Sequence, residues 1–153
     1  FMTFDADIAK GEKTLVKEAE GAKLEYLKGL GRVALVITAD KKEAGEALFN
    51  EVFAALPQKE EETEPMLNIL CWAEGEKWVI AVFPRKQHRP SCYSAEGDAN
   101  ILISPASVDM GGVFITPLEK DFDKITAEDV QMILDEVCFG EEDAEKLIAT
   151  LKG

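Results

Sequence analysis

The sequence predicts an α+β domain, a mostly antiparallel sheet with helices packed on one face. Three observations predict it. Apolar, β-branched segments come in pairs joined by short turns, as antiparallel hairpins require and parallel crossovers do not. A repeat of Ala44, Leu48, Val52 and Leu56 marks one long helix between two such pairs. Two amphipathic stretches then close the chain after residue 126. The resulting order, β-β-α-β-β-loop-β-β-α-α, argues against a doubly wound parallel fold.

In chain order, the first twenty residues read as a lead-in with a short helix around positions 12–18. KLEYLKG (23–29) and RVALVITA (32–39) read as two strands, with Gly29 and Gly31 in the turn between them. Asp40 suits a helix N-cap, and Pro57 stops the helix that follows. QKEEETEP (58–65) is a solvated connector. MLNILCWAEGEKWVIAVFPR (66–85) reads as a hairpin turning at Gly75, with Trp72 and Trp78 as core or cross-strand packing. NILISP (100–105) and GGVFITP (111–117) read as two more short strands. Thr126 opens a helix with Glu128 and Asp129 in its first turn and Val130, Ile133, Leu134 and Val137 as its apolar stripe. Gly140 ends it, and EEDAEKLIATLK forms the last helix.

The 153 residues suit a single domain, and 46% apolar content is too high for disorder. A net charge of −13 excludes a general nucleic-acid polymer binder, because phosphate backbones repel such a surface. No apolar run approaches the roughly 18–20 residues that span a bilayer. FMTFDADIAK carries Asp5 and Asp7 where a secretion signal needs a basic and then an apolar stretch, so a cytoplasmic protein is expected. Cys71, Cys92 and Cys138 form no CxxC and read as buried, reduced thiols, Cys92 the least securely because it sits in a basic loop. One histidine is too few for a common zinc site, and no motif requires a metal or cofactor.

The candidate site is FPRKQHRPSCY (83–93). Between Lys77 and Ala95 there is no acidic residue, although acids outnumber bases 30 to 17 in the chain. Arg85, Lys86, His88 and Arg89 lie between Pro84, which ends a strand, and Pro90, which holds Arg89 extended. Arginine suits bidentate phosphate contacts, lysine point-charge contacts, and protonated histidine can donate to phosphate. Ser91 and Tyr93 add hydroxyls. The competing reading is a basic loop paired with neighbouring acids. A second candidate is SPASVDMGG, where Gly111 and Gly112 let backbone approach a ligand or simply permit a turn, and Asp109 bonds a hydroxyl or caps that turn. No Walker loop, GxGxxG fingerprint or GxSxG elbow is present, and no catalytic set is complete.

These two motifs carry a resemblance. PR-x-x-HRP (Pro84, Arg85, His88, Arg89, Pro90), SP-x-x-x-DMGG (Ser104, Pro105, Asp109 to Gly112) and the ITPLEKDF that follows resemble the C-terminal part of an uncharacterised bacterial family. That family is related to ATP adenylyltransferases, dinucleoside polyphosphate phosphorylases and GDP-hexose phosphorylases of the histidine-triad and galactose-1-phosphate uridylyltransferase superfamily. The resemblance implies a histidine-triad-like fold and nucleotidyl-transfer or phosphorylase chemistry through a nucleotidyl-histidine. It implies that Arg85, Lys86, His88 and Arg89 neutralise phosphate oxygens, with Ser91, Asp109, Gly111 and Gly112 shaping a nucleotide or sugar-phosphate pocket. The superfamily's HxHxQ-type nucleophile motif is absent here. The chain is therefore expected to be the C-terminal portion of a longer protein, without a catalytic residue of its own, working with an upstream domain and open to homodimer formation. Two rivals stand beside this expectation: a non-catalytic nucleotide-sensing module, and a structural or protein-interaction domain without a small ligand.

Overall fold

The computed structural model describes residues 11–153. Five strands are present: β1 (Glu12–Ala19), β2 (Ala22–Lys28), β3 (Ala34–Ala39), β4 (Leu67–Glu74) and β5 (Lys77–Pro84). They form one sheet in the order β1-β2-β3-β5-β4, with every neighbouring pair antiparallel. Helix α1 (Lys42–Ala55) links β3 to β4; α2 (Ser107–Met110), α3 (Glu119–Lys124), α4 (Ala127–Val137) and α5 (Glu141–Lys152) follow β5. The class is α+β, as the sequence predicts. The reading of residues 1–10 as lacking a secretion signal lies outside the described residues.

Strict alternation along β2, β3 and β5 sorts side chains to two faces. Leu24, Tyr26, Leu35, Ile37 and Val82 point to one face, where α1 supplies Leu48 and Val52 and α5 supplies Ala144, Leu147 and Leu151. These two long helices share a face, but the helices are not confined to it, since α4 packs on the other. Leu27, Ala34, Val36, Val79, Ala81 and Phe83 point to the other face, where Met110 and the α4 residues Leu134 and Val137 meet them. Buried on both sides, β3 is almost continuously apolar in sequence.

Local details follow from chemistry. Gly75 takes φ 62 in the two-residue turn between β4 and β5, a conformation that a Cβ would strain. Thr126 and Asp129 cap α4 reciprocally: the Thr126 hydroxyl accepts from the Asp129 N–H at 3.2 Å, and the Asp129 carboxylate accepts from the Thr126 N–H at 2.9 Å. Helix α1 ends where Leu56 turns extended ahead of Pro57.

Several expectations need correction. Residues 12–18 form the edge strand β1, not a helix. Their only apolar pair, Leu15 and Val16, makes no helical stripe, and the hairpin with β2 overrides the helix propensity of Glu and Lys. A bulge between Leu15 and Lys17 admits Val16 to the core and leaves Leu15 exposed. Asp40 does not cap α1; Lys41 occupies the N-cap position with no side-chain cap. The strands expected over 100–105 and 111–117 do not form. Instead of pairing at an edge, this stretch lies against the second face, with Met110 buried on the sheet and the Leu102 N–H bonded to the Asp121 carboxylate. Cys71 is exposed rather than buried, since it lies on the edge strand β4; Cys92 and Cys138 are buried. Trp78 is half exposed, across from Ala39 and Ala73, and Trp72 packs against the second-face cluster.

Candidate functional site

The basic loop begins where β5 ends and is bonded at once to the end of α4. The Lys86 N–H donates to the Val137 carbonyl at 2.8 Å, and the Phe139 N–H donates to the Pro84 carbonyl at 3.1 Å. Lys86 Nζ donates to the Asp135 carbonyl at 2.7 Å, placing a cation at the helix C-terminus, where the macrodipole favours it. A carboxylate from the same helix, Glu136, accepts from Gln87 Nε2 at 3.0 Å, the Ser91 N–H at 2.8 Å and the Ser91 hydroxyl at 3.0 Å.

Arg85 is 8% exposed and acts inside this scaffold. Its Nη1 donates to Asn68 Oδ1 at 3.0 Å and to the Pro105 carbonyl, and its Nη2 donates to the His88 carbonyl at 2.7 Å. The Ser104 hydroxyl donates to that same His88 carbonyl at 3.1 Å. The two motifs singled out in the sequence therefore meet: PRKQHRP and SPASVDMGG share Arg85 as their fastener. Burial pushes the guanidinium's pKa below its ordinary value, with Cys138 and Asp109 acting in the opposite direction. It stays cationic, as arginine does in proteins.

Asp109 is spent locally, its carboxylate accepting from the Ala106 N–H at 2.8 Å and from the Ile115 N–H at 3.3 Å. Gly111 is buried at the end of α2 in ordinary helical geometry. Gly112 follows at φ 96 and is exposed, the position in this turn that requires glycine.

His88 and Arg89 are exposed at the loop's tip, and Lys86 is exposed beside them. The Arg89 guanidinium stacks 4.3 Å from the centre of the Tyr93 ring, which holds it by a cation–π contact. His88 lines a cleft of about 310 Å³ with residues 61–67 of the acidic connector. Among the described residues, none of Arg85, Lys86, His88 and Arg89 forms an ion pair with a carboxylate side chain. In a chain with 30 acids that is a departure from the paired-loop reading. The loop thus presents Lys86, His88 and Arg89 on a backbone already fixed.

No thiol is placed to act as a nucleophile. Burial pushes the Cys92 thiol pKa up, and Glu136 adds to that; burial also pushes Cys138 up, against the pull of Arg85. Among the described residues no group of three or more His, Cys, Asp or Glu is placed to hold a metal ion. No helix there is long and apolar enough to cross a membrane.

Sequence reasoning missed Glu136, Asn68 and Arg32. Arg32 reaches from the β2–β3 turn to the Leu30 carbonyl at 2.9 Å and to the Met110 carbonyl, pinning α2 to the sheet. Nothing local marks these residues, because each acts on a segment far away in sequence.

The sheet, its two covering helices and the loop-rich second face define an α+β domain. More particularly, the family model described as "GDPGP1-like, C-terminal domain" matches residues 10–152. The chain belongs to that family. No curated protein and no solved structure matches it.

Proposed function

We propose that this domain supplies the phosphate-contacting half of a nucleotide or sugar-phosphate site in a phosphorylase-like cytoplasmic protein, whose histidine nucleophile lies on an upstream domain. The observation that carries the reading is the set of cationic side chains on a clamped loop with no carboxylate partner among the described residues. Family membership supports the phosphorylase-like part of the reading. His88 and Arg89 contact phosphate oxygens directly, and Lys86 joins them by leaving the Asp135 carbonyl. Arg85 holds the loop, and Ser91, Asp109, Gly111 and Gly112 shape its floor. In phosphoryl and nucleotidyl transfer such cations also stabilise charge that develops in the transition state. His88 is the chain's only histidine, so a two-histidine site cannot be built from these residues alone.

The test is a titration of the chain with GDP, a GDP-hexose and inorganic phosphate, read by calorimetry and thermal shift. A ligand at a hundred times its Kd adds about 2.7 kcal/mol of stability, a readable change in Tm. We expect GDP to bind and the double variant His88→Ala, Arg89→Ala to bind at least tenfold more weakly. Unchanged binding in that variant refutes the assignment. A non-catalytic nucleotide sensor is the second reading, favoured by the lone histidine; turnover by the longer protein, lost on removing its upstream histidines, excludes it.

A further inference from the structure

Gln87 and Ser91 stand on either side of His88 and Arg89, and both are bonded to one carboxylate. Glu136 Oε1 accepts from Gln87 Nε2 and the Ser91 N–H, while Oε2 accepts from the Ser91 hydroxyl, all within 3.0 Å. We propose that Glu136 is the positioning residue for anion recognition at this loop: it fixes both shoulders of the segment that carries the exposed His88 and Arg89, without itself touching the ligand. The inference rests on the reading of the loop as an anion site.

The physical case turns on two opposing effects. A carboxylate beside a cationic loop subtracts from the field an anion would feel, so on charge alone Glu136 weakens binding. It also removes conformational freedom from the loop before any ligand arrives, and preorganisation of that kind strengthens binding. The geometry points to the second effect prevailing. Three hydrogen bonds converge on one side chain rooted in the last turn of α4, whose own position is set by the buried Ile133, Leu134 and Val137. The opposite side of the loop is held independently, by Arg85 and Ser104 on the His88 carbonyl. Glu136 is the complementary clamp, and the only one of the two that spans both flanks of the tip.

The two effects give opposite signs, and that makes the test decisive. Calorimetric titration with GDP and with inorganic phosphate is run on the unaltered chain, Glu136→Ala and Glu136→Gln, with amide hydrogen exchange across residues 87–91 in each. We expect Glu136→Ala to weaken GDP binding about tenfold or more, although it makes the loop more positive, and to speed exchange at Ser91. Glu136→Gln keeps an oxygen for the Ser91 N–H and is expected to recover most of the affinity. Binding as tight as or tighter than the unaltered chain in Glu136→Ala overturns the proposal while leaving the anion site standing. Absence of GDP and phosphate binding by the unaltered chain overturns both. If Glu136→Ala fails to fold, the pair Gln87→Ala and Ser91→Ala removes the two side-chain donors and leaves the Ser91 N–H, with the same two outcomes in a weaker form.

Discussion

The sheet and the stretch that covers its second face are held together by different means. In β2, β3 and β5 the backbone pairs with itself along continuous ladders, and alternate apolar side chains fill both faces. Between Arg85 and Ile125 there is no named strand, and no helix exceeds six residues. There short backbone turns do part of the work and side chains supply partners the turns do not. Asp121 accepts from the Leu102 N–H at 2.9 Å, and Asn100 donates to the Tyr93 carbonyl at 2.9 Å. Arg85 serves His88 and Pro105, and Arg32 serves Leu30 and Met110. A buried backbone group must find a partner. Where the chain cannot form a ladder, single polar residues supply partners to several carbonyls, and one substitution undoes them together.

The sharpest way to break this contrast is at Phe83, which is fully buried between the sheet and its cover. Phe83→Ala is expected to cost about 3–5 kcal/mol by denaturant unfolding. Should that loss appear as a separate early transition of the cover with the sheet intact, the two regions are distinct cooperative units. A single shifted transition makes them one.

Arg85→Met comes next. It keeps bulk but strands the Pro105 carbonyl and Asn68 and leaves the His88 carbonyl with the Ser104 hydroxyl, for a loss of about 2–4 kcal/mol. Hydrogen exchange should accelerate over residues 101–106 while β3 amides stay protected. Equal acceleration in β3 would mean that the cover is no less cooperative with the sheet than the strands are with one another.

Acid gives the smallest effect and sharpens the comparison furthest. The Lys120 ammonium and the Leu102 N–H hold the Asp121 carboxyl below the usual range, and the Thr126 N–H and hydroxyl do the same for Asp129. A lowered folded-state pKa means stability that is present above the unfolded value, about 3.9, and is lost as pH falls through the folded value. The cover should therefore loosen below about pH 4 before the sheet does, seen as faster exchange near Leu102. Asp121→Asn should flatten that dependence; an unchanged acid profile would remove Asp121 from the account.

The same division explains what could be read in advance. The β4–β5 hairpin was legible because its apolar runs flank a glycine turn, and α5 because its stripe and boundaries are marked in sequence. The strand β1 was not, because an edge strand with charges on both faces shows neither period. Residues 100–117 carry β-branched residues that look like strands, yet β-propensity reports only fitness for a pleated, half-buried surface and does not dictate pairing. In the candidate site, the cationic residues and their proline brackets were plain. That Arg85 turns inward to hold the loop, and that Glu136 anchors it from the helix that follows, was not.

By itself the sequence determined the α+β class, the strands β2 to β5, the three long helices and the placement of a basic segment at a strand end. It did so because those features depend on neighbours within a few residues: periodicity, turn glycines, caps and prolines. The tertiary structure alone decided which of the basic side chains face solvent, which is consumed in the scaffold, and which carboxylate clamps the loop. Those outcomes depend on groups brought together across tens of residues, where hydrogen bonds between side chain and distant backbone leave no periodic mark on the chain.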